Sequence, residues 1–408
     1  MNVIESYDYK SHPANIGMDF EFCEKISEKV LKNYLSRAVT MAFETGEAIN
    51  DNSTEYIRFI LNVGAKFIGR LTAPWVVSMA ELAEHDGQKR FIEKLHTYDP
   101  DIICEACIFE NTTDKINEIS IPNWVFEAFN MKIEKRNFNQ ELMLFPDGRL
   151  KNIFGEGSPP DITQTETQLF FYWRACTLIN LGYEALHMGQ VNMIAETDEN
   201  FTCFTKVFDM IREYAKTHSR RKMVLINGHT HGMYNSRGEL LYDFHEWPSR
   251  CIEPEGSVQH TPEEDKQDMI FGINSYPVND WRAGIYGKSM GGKTPSGWEC
   301  ESLPYLVELD NAGGFNPETR DKPTFSWYTS WGYDEISWFA NQKAEFRREW
   351  LKYAYSWVRD NDEPGHFELP ARRLARVIFN GRDTWMYYAG RDDYGDEYII
   401  REIFIENN

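Results

Sequence analysis

The sequence predicts an α/β protein, a (β/α)8 TIM barrel with long loop insertions and a small C-terminal β-rich element. Short apolar runs alternate with amphipathic helical patterns, which is the signature of a parallel sheet covered by helices. The chain of 408 residues is long enough for one such domain. No glycine-rich dinucleotide fingerprint follows the first strand, which favours the barrel over an open doubly wound sheet.

The first predicted strand is "RAVTMAFE" (Arg37 to Glu44). A helix around "EYIRFILN" leads to the second, "AKFIGRLT" (Ala65 to Thr72), and "GQKRFIEKLH" leads to the third, "DIICEACIFE" (Asp101 to Glu110). The helix "TETQLFFYWRACTLINLG" ends on a capping glycine, Gly182, before "YEALHMGQ" (Tyr183 to Gln190). Another helix, "FTKVFDMIREYAKTH", precedes "KMVLING", and a late strand is expected at "LPYLVELDN" (Leu303 to Asn311). One long helix is predicted over "DEISWFANQKAEFRREWLKYAYSWVRD". The barrel is placed at residues 1–365, with a Gly-, Pro- and Trp-rich loop insertion at about 233–301. Residues 366–408 are read as the last strand and a β-rich extension, from "RVIFN", "TWMYYAG" and "EYIIREIFIE".

Composition narrows the function classes. With 42% hydrophobic and 26% charged residues the chain is globular, and its formal net charge of -21 repels a phosphate backbone. The short basic run "HSRRK" (His218 to Lys222) reads as a solvated helix end, so nucleic acid is excluded as a partner. No apolar run reaches spanning length and the N-terminus has no apolar h-region, so no membrane association and a cytoplasmic location are expected. Seven cysteines, an odd number spread from Cys23 to Cys300, do not form a disulfide framework, which agrees with a reducing compartment. The sequons at Asn52, Asn111 and Asn200 then carry no glycan.

Strand periodicity sorts side chains into two faces. The small or polar set is expected to point inward: Thr40, Ala42 and Glu44; Ile68, Arg70 and Thr72; Ile103, Glu105 and Cys107; Ala185, His187 and Gly189; Leu225, Asn227 and His229; Leu306, Glu308 and Asp310. Each of these strands thus carries a polar or charged residue near its C-terminal end, where barrel active sites lie. Burying so many unpaired charges for structural reasons alone is costly, so an enzyme is favoured over a binding module.

Three motifs bear on the chemistry. "CEAC" (Cys104 to Cys107) lies on a strand, where its thiols face opposite ways, so it is read as core. "GKSMGGKT" (Gly287 to Thr294) matches a phosphate-loop pattern, but Pro295 and Gly297 oppose the helix that such a loop needs. "GHTH" places His229 and His231 at a strand end, where they could bind a divalent metal with His187 or Asp310. No cofactor is expected in the main reading, and that metal belongs to the alternative one.

The carboxylates point to glycoside hydrolysis, which needs one acid and one nucleophile or base across the scissile bond. Glu105 is assigned as acid and Asp310 as nucleophile or base, with Glu308 in reserve. Tryptophans on intervening loops (Trp75, Trp247, Trp298, Trp327, Trp331) are expected to stack on sugar rings. Glu44, Arg70, His187, Asn227, His229, His231 and Asn311 complete the predicted substrate-binding set. In its acidic strand ends and aromatic loops the chain resembles the glycoside-hydrolase-type barrels, although the Asn-Glu pair that many carry after a fourth strand is missing. The resemblance implies an oligosaccharide or other small-molecule substrate. A metal-dependent hydrolase using His229 and His231, and a non-catalytic carbohydrate-binding barrel, are the alternatives.

Overall fold

The computed structural model describes residues 7–43, 53–230, 232–249, 289–310, 335–377 and 384–408. Helix α1 (Glu28–Leu35), capped by the Ser27 hydroxyl, precedes strand β1 (Ala38–Met41). Then follow α2 (Ser53–Val63), β2 (Phe67–Thr72), α3 (Met79–Leu82), α4 (His85–Tyr98), β3 (Ile103–Cys107) and α5 (Asn123–Ala128). Helix α6 (Thr165–Leu181) stops at Gly182, whose φ of 104° is open to glycine without strain. It leads to β4 (Ala185–His187), α7 (Val191–Ile194), α8 (Thr202–His218) and β5 (Leu225–Asn227). The second half holds β6 (His245–Pro248), the hairpin β7 (Gly292–Lys293) and β8 (Glu299–Cys300), and β9 (Tyr305–Glu308). It closes with α9 (Glu335–Ala340), α10 (Ala344–Asn361), β10 (Gly365–Phe367), β11 (Leu369–Val377), β12 (Thr384–Tyr388) and α11 (Glu397–Glu406).

A seven-stranded sheet runs β12-β11-β1-β2-β3-β4-β5, parallel except for β12. A three-stranded parallel sheet runs β10-β9-β6. The two sheets are linked at both ends. Only Glu368 separates β10 from β11, and its N–H donates to Val307 C=O at 2.8 Å. On the other side Asp243 N–H donates to Ile226 C=O at 2.8 Å, and Glu246 N–H donates to Gly228 C=O at 3.4 Å.

Alternation along the strands builds two cores. Val39, Met41, Ile68, Cys104, Leu186, Ile226 and Val307 face the helices. Ala38, Phe67, Ile103, Ala185, Leu225, Phe244 and Leu306 form a separate apolar layer with Phe20, Ile26, Leu31 and Tyr34 of the N-terminal segment. The N-terminal segment therefore covers the end of the sheets where the strands begin, and the polar residues lie at the other end.

Four expectations need correction. The stretch taken as a loop insertion at 233–301 contains β6 and the β7–β8 hairpin. "EYIIREIFIE" is helix α11, not a strand: Ile399, Ile400, Ile403 and Phe404 are buried at helical spacing, and the isoleucines misled by their β-branching. The long helix is broken into α9 and α10 at residues 341–343. Ile68 faces the helices, because a register shift in β2 reverses the alternation before Arg70. The phosphate-loop-like stretch enters the β7–β8 hairpin, with no helix at Lys293. Among the described residues no helix is long and apolar enough to cross a membrane.

Replacing Ile400 or Ile403 with Ala is expected to cost about 2–5 kcal/mol each, the range for emptying a buried aliphatic site. Exposed Tyr398→Ala should stay within about 0.5 kcal/mol. Urea denaturation of the three variants checks this, since a strand could not bury 400 and 403 on one face.

Candidate active site

The polar end of the sheets is organised around Arg70. Its φ of 55° lies in the left-handed region, at the β2 register shift, which turns the side chain inward. Gly69 before it has no room for a side chain: a Cβ there would lie 1.9 Å from Glu368 Oε1. Arg70 N–H donates to Glu105 Oε2 at 3.0 Å. Its guanidinium Nε lies 3.3 Å from Glu246 Oε1, Nη1 lies 3.4 Å from Asp310 Oδ1, and Nη2 contacts Glu308. Nη2 also lies 3.2 Å from His229 Nε2. A second guanidinium, Arg373 of β11, donates to Glu308 Oε2 and to Leu309 C=O, both at 2.8 Å, and sits 3.6 Å from Asp310.

A hydrogen-bonded line crosses below. Asn227 Nδ2 donates to Glu105 Oε1 at 2.6 Å, and Asn227 Oδ1 lies 2.7 Å from His187 Nδ1. That same nitrogen is 3.5 Å from Glu246 Oε2. Glu105, His187, Asn227, Glu246, Glu308 and Glu368 are all 0% exposed, whereas Asp310 is 7% exposed.

The carboxyls differ in proton affinity. Burial pushes Glu105 well above the usual carboxylate range, and Glu246 and Glu368 add to it. Burial acts on Glu246 in the same direction, but the His187 N–H facing it and the Arg70 guanidinium outweigh burial and hold that carboxyl below the usual carboxylate range. Burial raises Glu368 to about 8, with Glu246 adding and Arg70 and Thr40 opposing. Burial, with His187 and Arg70 beside it, keeps His229 well below the usual imidazole range.

An aromatic cluster adjoins His187. Trp75 is 40% exposed, and its ring centroid lies 5.4 Å from Phe109 and 5.1 Å from Phe154. Phe109 in turn lies 6.2 Å from the His187 ring.

The structure thus brings together Glu105, Arg70, His187, Asn227, His229, Glu308 and Asp310, with Trp75 close by. Two predicted stacking tryptophans are corrected. Trp247 is on β6, fully buried in the helix-facing core beside Tyr305, so no sugar can reach it. Trp298 donates to Ile26 C=O at 3.0 Å, in the N-terminal segment that covers the opposite end. Glu44, His231, Asn311, Trp327 and Trp331 lie outside the described residues.

Sequence reasoning missed Glu246, Glu368 and Arg373. Glu246 was inside the presumed insertion, though "DFHEWP" alternates Phe244 and Glu246 against His245 and Trp247. Glu368 and Arg373 fell inside the 366–408 stretch read as last strand and extension, ahead of the run "RVIFN", and were given no face.

Among the described residues, two groups of side chains could hold a cation: Glu105, His187 and Glu246, and Glu246, Glu308 and Glu368, each with ligand atoms within 4.8 Å of one another. The donor sets suit a divalent metal. The nitrogen of His187 that faces Glu246 is, however, already engaged by Asn227, and Arg70 already lies against Glu246 and Glu308.

No protein-family model matches the chain, and no curated protein matches it. Solved structures overlap weakly. The glycoside hydrolase domain of PelA from Pseudomonas aeruginosa is 9% identical, with 71% of this chain and 87% of that one covered at a TM-score of 0.30. The tandem GH20 catalytic modules of the pneumococcal exo-beta-D-N-acetylglucosaminidase StrH give 9% identity, coverage of 92% and 85%, and 0.35. Bacillus licheniformis trehalose-6-phosphate hydrolase gives 11%, coverage of 82% and 56%, and 0.33. TM-scores of this size assign neither fold nor activity to the chain.

Two outcomes are expected. Gly69→Ala should destabilise by about 1–3 kcal/mol through overpacking against Glu368, and adding Glu368→Ala should recover much of the loss in denaturation midpoints. For pH, the Glu368 carboxyl is raised from 4.5 to about 8 on folding. The unfolded chain therefore releases this proton first as pH rises. Stability falls between those two pH values, and Glu368→Gln should flatten the fall measured by urea midpoints.

Proposed function

We propose that this chain is a glycosidase-like hydrolase of a carbohydrate or glycoconjugate, working by carboxylate acid/base chemistry at the strand C-termini. The eight parallel runs β1 to β6, β9 and β10–β11 are read as a closed (β/α)8 barrel, supported by the bridging hydrogen bonds at both sheet junctions. The observation that carries the functional reading is the neighbouring pair Glu105 and Glu246. Burial keeps a proton on Glu105, while Glu246 is held ionised. Carboxyls driven apart in this way divide the roles of acid and base.

Glu105 is the proton donor, as the sequence suggested. Its partner is Glu246 in place of Asp310 or Glu308, because Arg70 and Arg373 both engage those two carboxylates. Among the described residues, Glu246 Oε2 is met only by the long 3.5 Å approach of His187 Nδ1. The pair's approach within 4.8 Å is on the short side of the spacing used for a covalent glycosyl intermediate, about 5–5.5 Å. Retention of anomeric configuration is therefore expected. The wall of Trp75, Phe109 and Phe154 would stack on a sugar ring at the mouth.

The test is a panel of aryl glycosides. Glu105→Gln and Glu246→Gln should each lower kcat on the order of 10²- to 10⁴-fold, with Asp310→Asn less severe, and proton NMR of the first product should show the retained anomer. Full activity in both glutamine variants would reject this pair.

A second reading, a metal-dependent hydrolase, is favoured by the Glu105–His187–Glu246 group, which replaces the His229/His231 pair as its centre. Elemental analysis of tag-free protein purified without chelator separates the two. About one equivalent of Zn, Mn or Fe, with activity lost on chelation, would support the metal.

A further inference from the structure

Asn227 was expected to touch substrate, yet both ends of its amide are used inside the protein. It is 0% exposed, its Nδ2 donates to Glu105 Oε1 at 2.6 Å, and its Oδ1 lies 2.7 Å from His187 Nδ1. A carbonyl oxygen can only accept, so the hydrogen between these atoms belongs to His187 Nδ1. The second neighbour of that nitrogen agrees, since Glu246 Oε2, 3.5 Å away, is also an acceptor. In the neutral form of the ring, which carries one hydrogen, that placement leaves His187 Nε2 with a lone pair. That atom is buried and has no partner among the described residues. Buried acceptors are seldom left unused.

His187 is the last residue of β4, and its ring centroid lies 4.6 Å from His229 and 6.2 Å from Phe109, on the way to exposed Trp75. We propose that Asn227 is a positioning residue that locks His187 in the Nδ1–H tautomer, so that Nε2 accepts a hydrogen bond from a hydroxyl of the substrate. The role given to Nε2 rests on the glycosidase reading above, whereas the tautomer does not. The ligand class is a neutral hydroxyl donor; an incoming carboxylate or phosphate oxygen would face a lone pair and find no hydrogen there. The same amide holds Glu105 in place, so one side chain sets two partners at once.

The experiment is nitrogen-15 NMR of the full chain labelled at histidine, with the His187 signals identified by their loss in His187→Gln. The wild type is expected to show a protonated Nδ1 and a bare Nε2. Asn227→Ala should shift the ring toward the Nε2–H form or an even mixture. A wild-type ring that is Nε2–H or doubly protonated overturns the proposal, and so does an unchanged tautomer in Asn227→Ala. Should that variant fail to fold, the wild-type spectrum still decides. On any glycoside the wild type turns over, His187→Ala should raise KM about tenfold, the worth of one hydrogen bond. An unchanged KM overturns the acceptor role. Absence of glycoside turnover would count against the glycosidase reading while the spectra still judge the tautomer.

Discussion

At the C-terminal ends of the strands, the buried carboxyls Glu105, Glu246, Glu308, Glu368 and Asp310 lie together with two guanidiniums, Arg70 and Arg373. Charges of one sign cannot be packed so closely in a poorly polarisable medium unless something neutralises the excess. Arg70 reaches Glu246, Glu308 and Asp310 at once, and Arg373 shares the last two. Glu105, Glu308 and Glu368 all lie above the usual carboxylate range, first because burial disfavours their charge and then because other carboxylates stand beside them. The spread of proton affinities among these carboxyls thus follows from burial, with the two guanidiniums too few to offset it.

The fold makes that shortage possible by separating layers. The apolar layer of Phe67, Ile103, Leu225, Phe244 and Leu306, packed on the N-terminal segment, keeps water from one side. One step further along the same strands come Glu105, Asn227, Glu246 and Glu308. Gly69, by lacking a side chain, leaves the space that the Glu368 carboxyl fills. The site is therefore a property of strand register across the sheet more than of any single loop.

Much of this was legible in the sequence where a strand kept its period. Val39 against Thr40, Cys104 against Glu105 and Ile226 against Asn227 fell on the faces that alternation assigns. Legibility failed where a local signal competed with tertiary context. The segment holding Glu246 is only four residues of strand in Trp- and Pro-rich surroundings, so composition spoke for a loop. Trp247 looked like a surface ring for the same reason, although its neighbour in the strand was the inward residue. In α11, β-branched isoleucines argued for a strand, while the burial of adjacent Ile399 and Ile400 belongs to a helix. Contacts such as Glu368 beside Gly69 join residues some 300 positions apart, and no pattern in a single sequence encodes them.

The backbone of Arg70 has a consequence for how this position tolerates change. A left-handed conformation inside a strand is best suited to glycine, while the surrounding carboxylates need a guanidinium. The two demands cannot be met by one side chain. Glycine would relax the chain and strand three acids, and lysine would keep the strain with one point charge where a planar fork now serves several. Position 70 therefore sits on an isolated peak: every single step away from arginine leads downhill, and drift there is blocked unless the acids around it change in the same event.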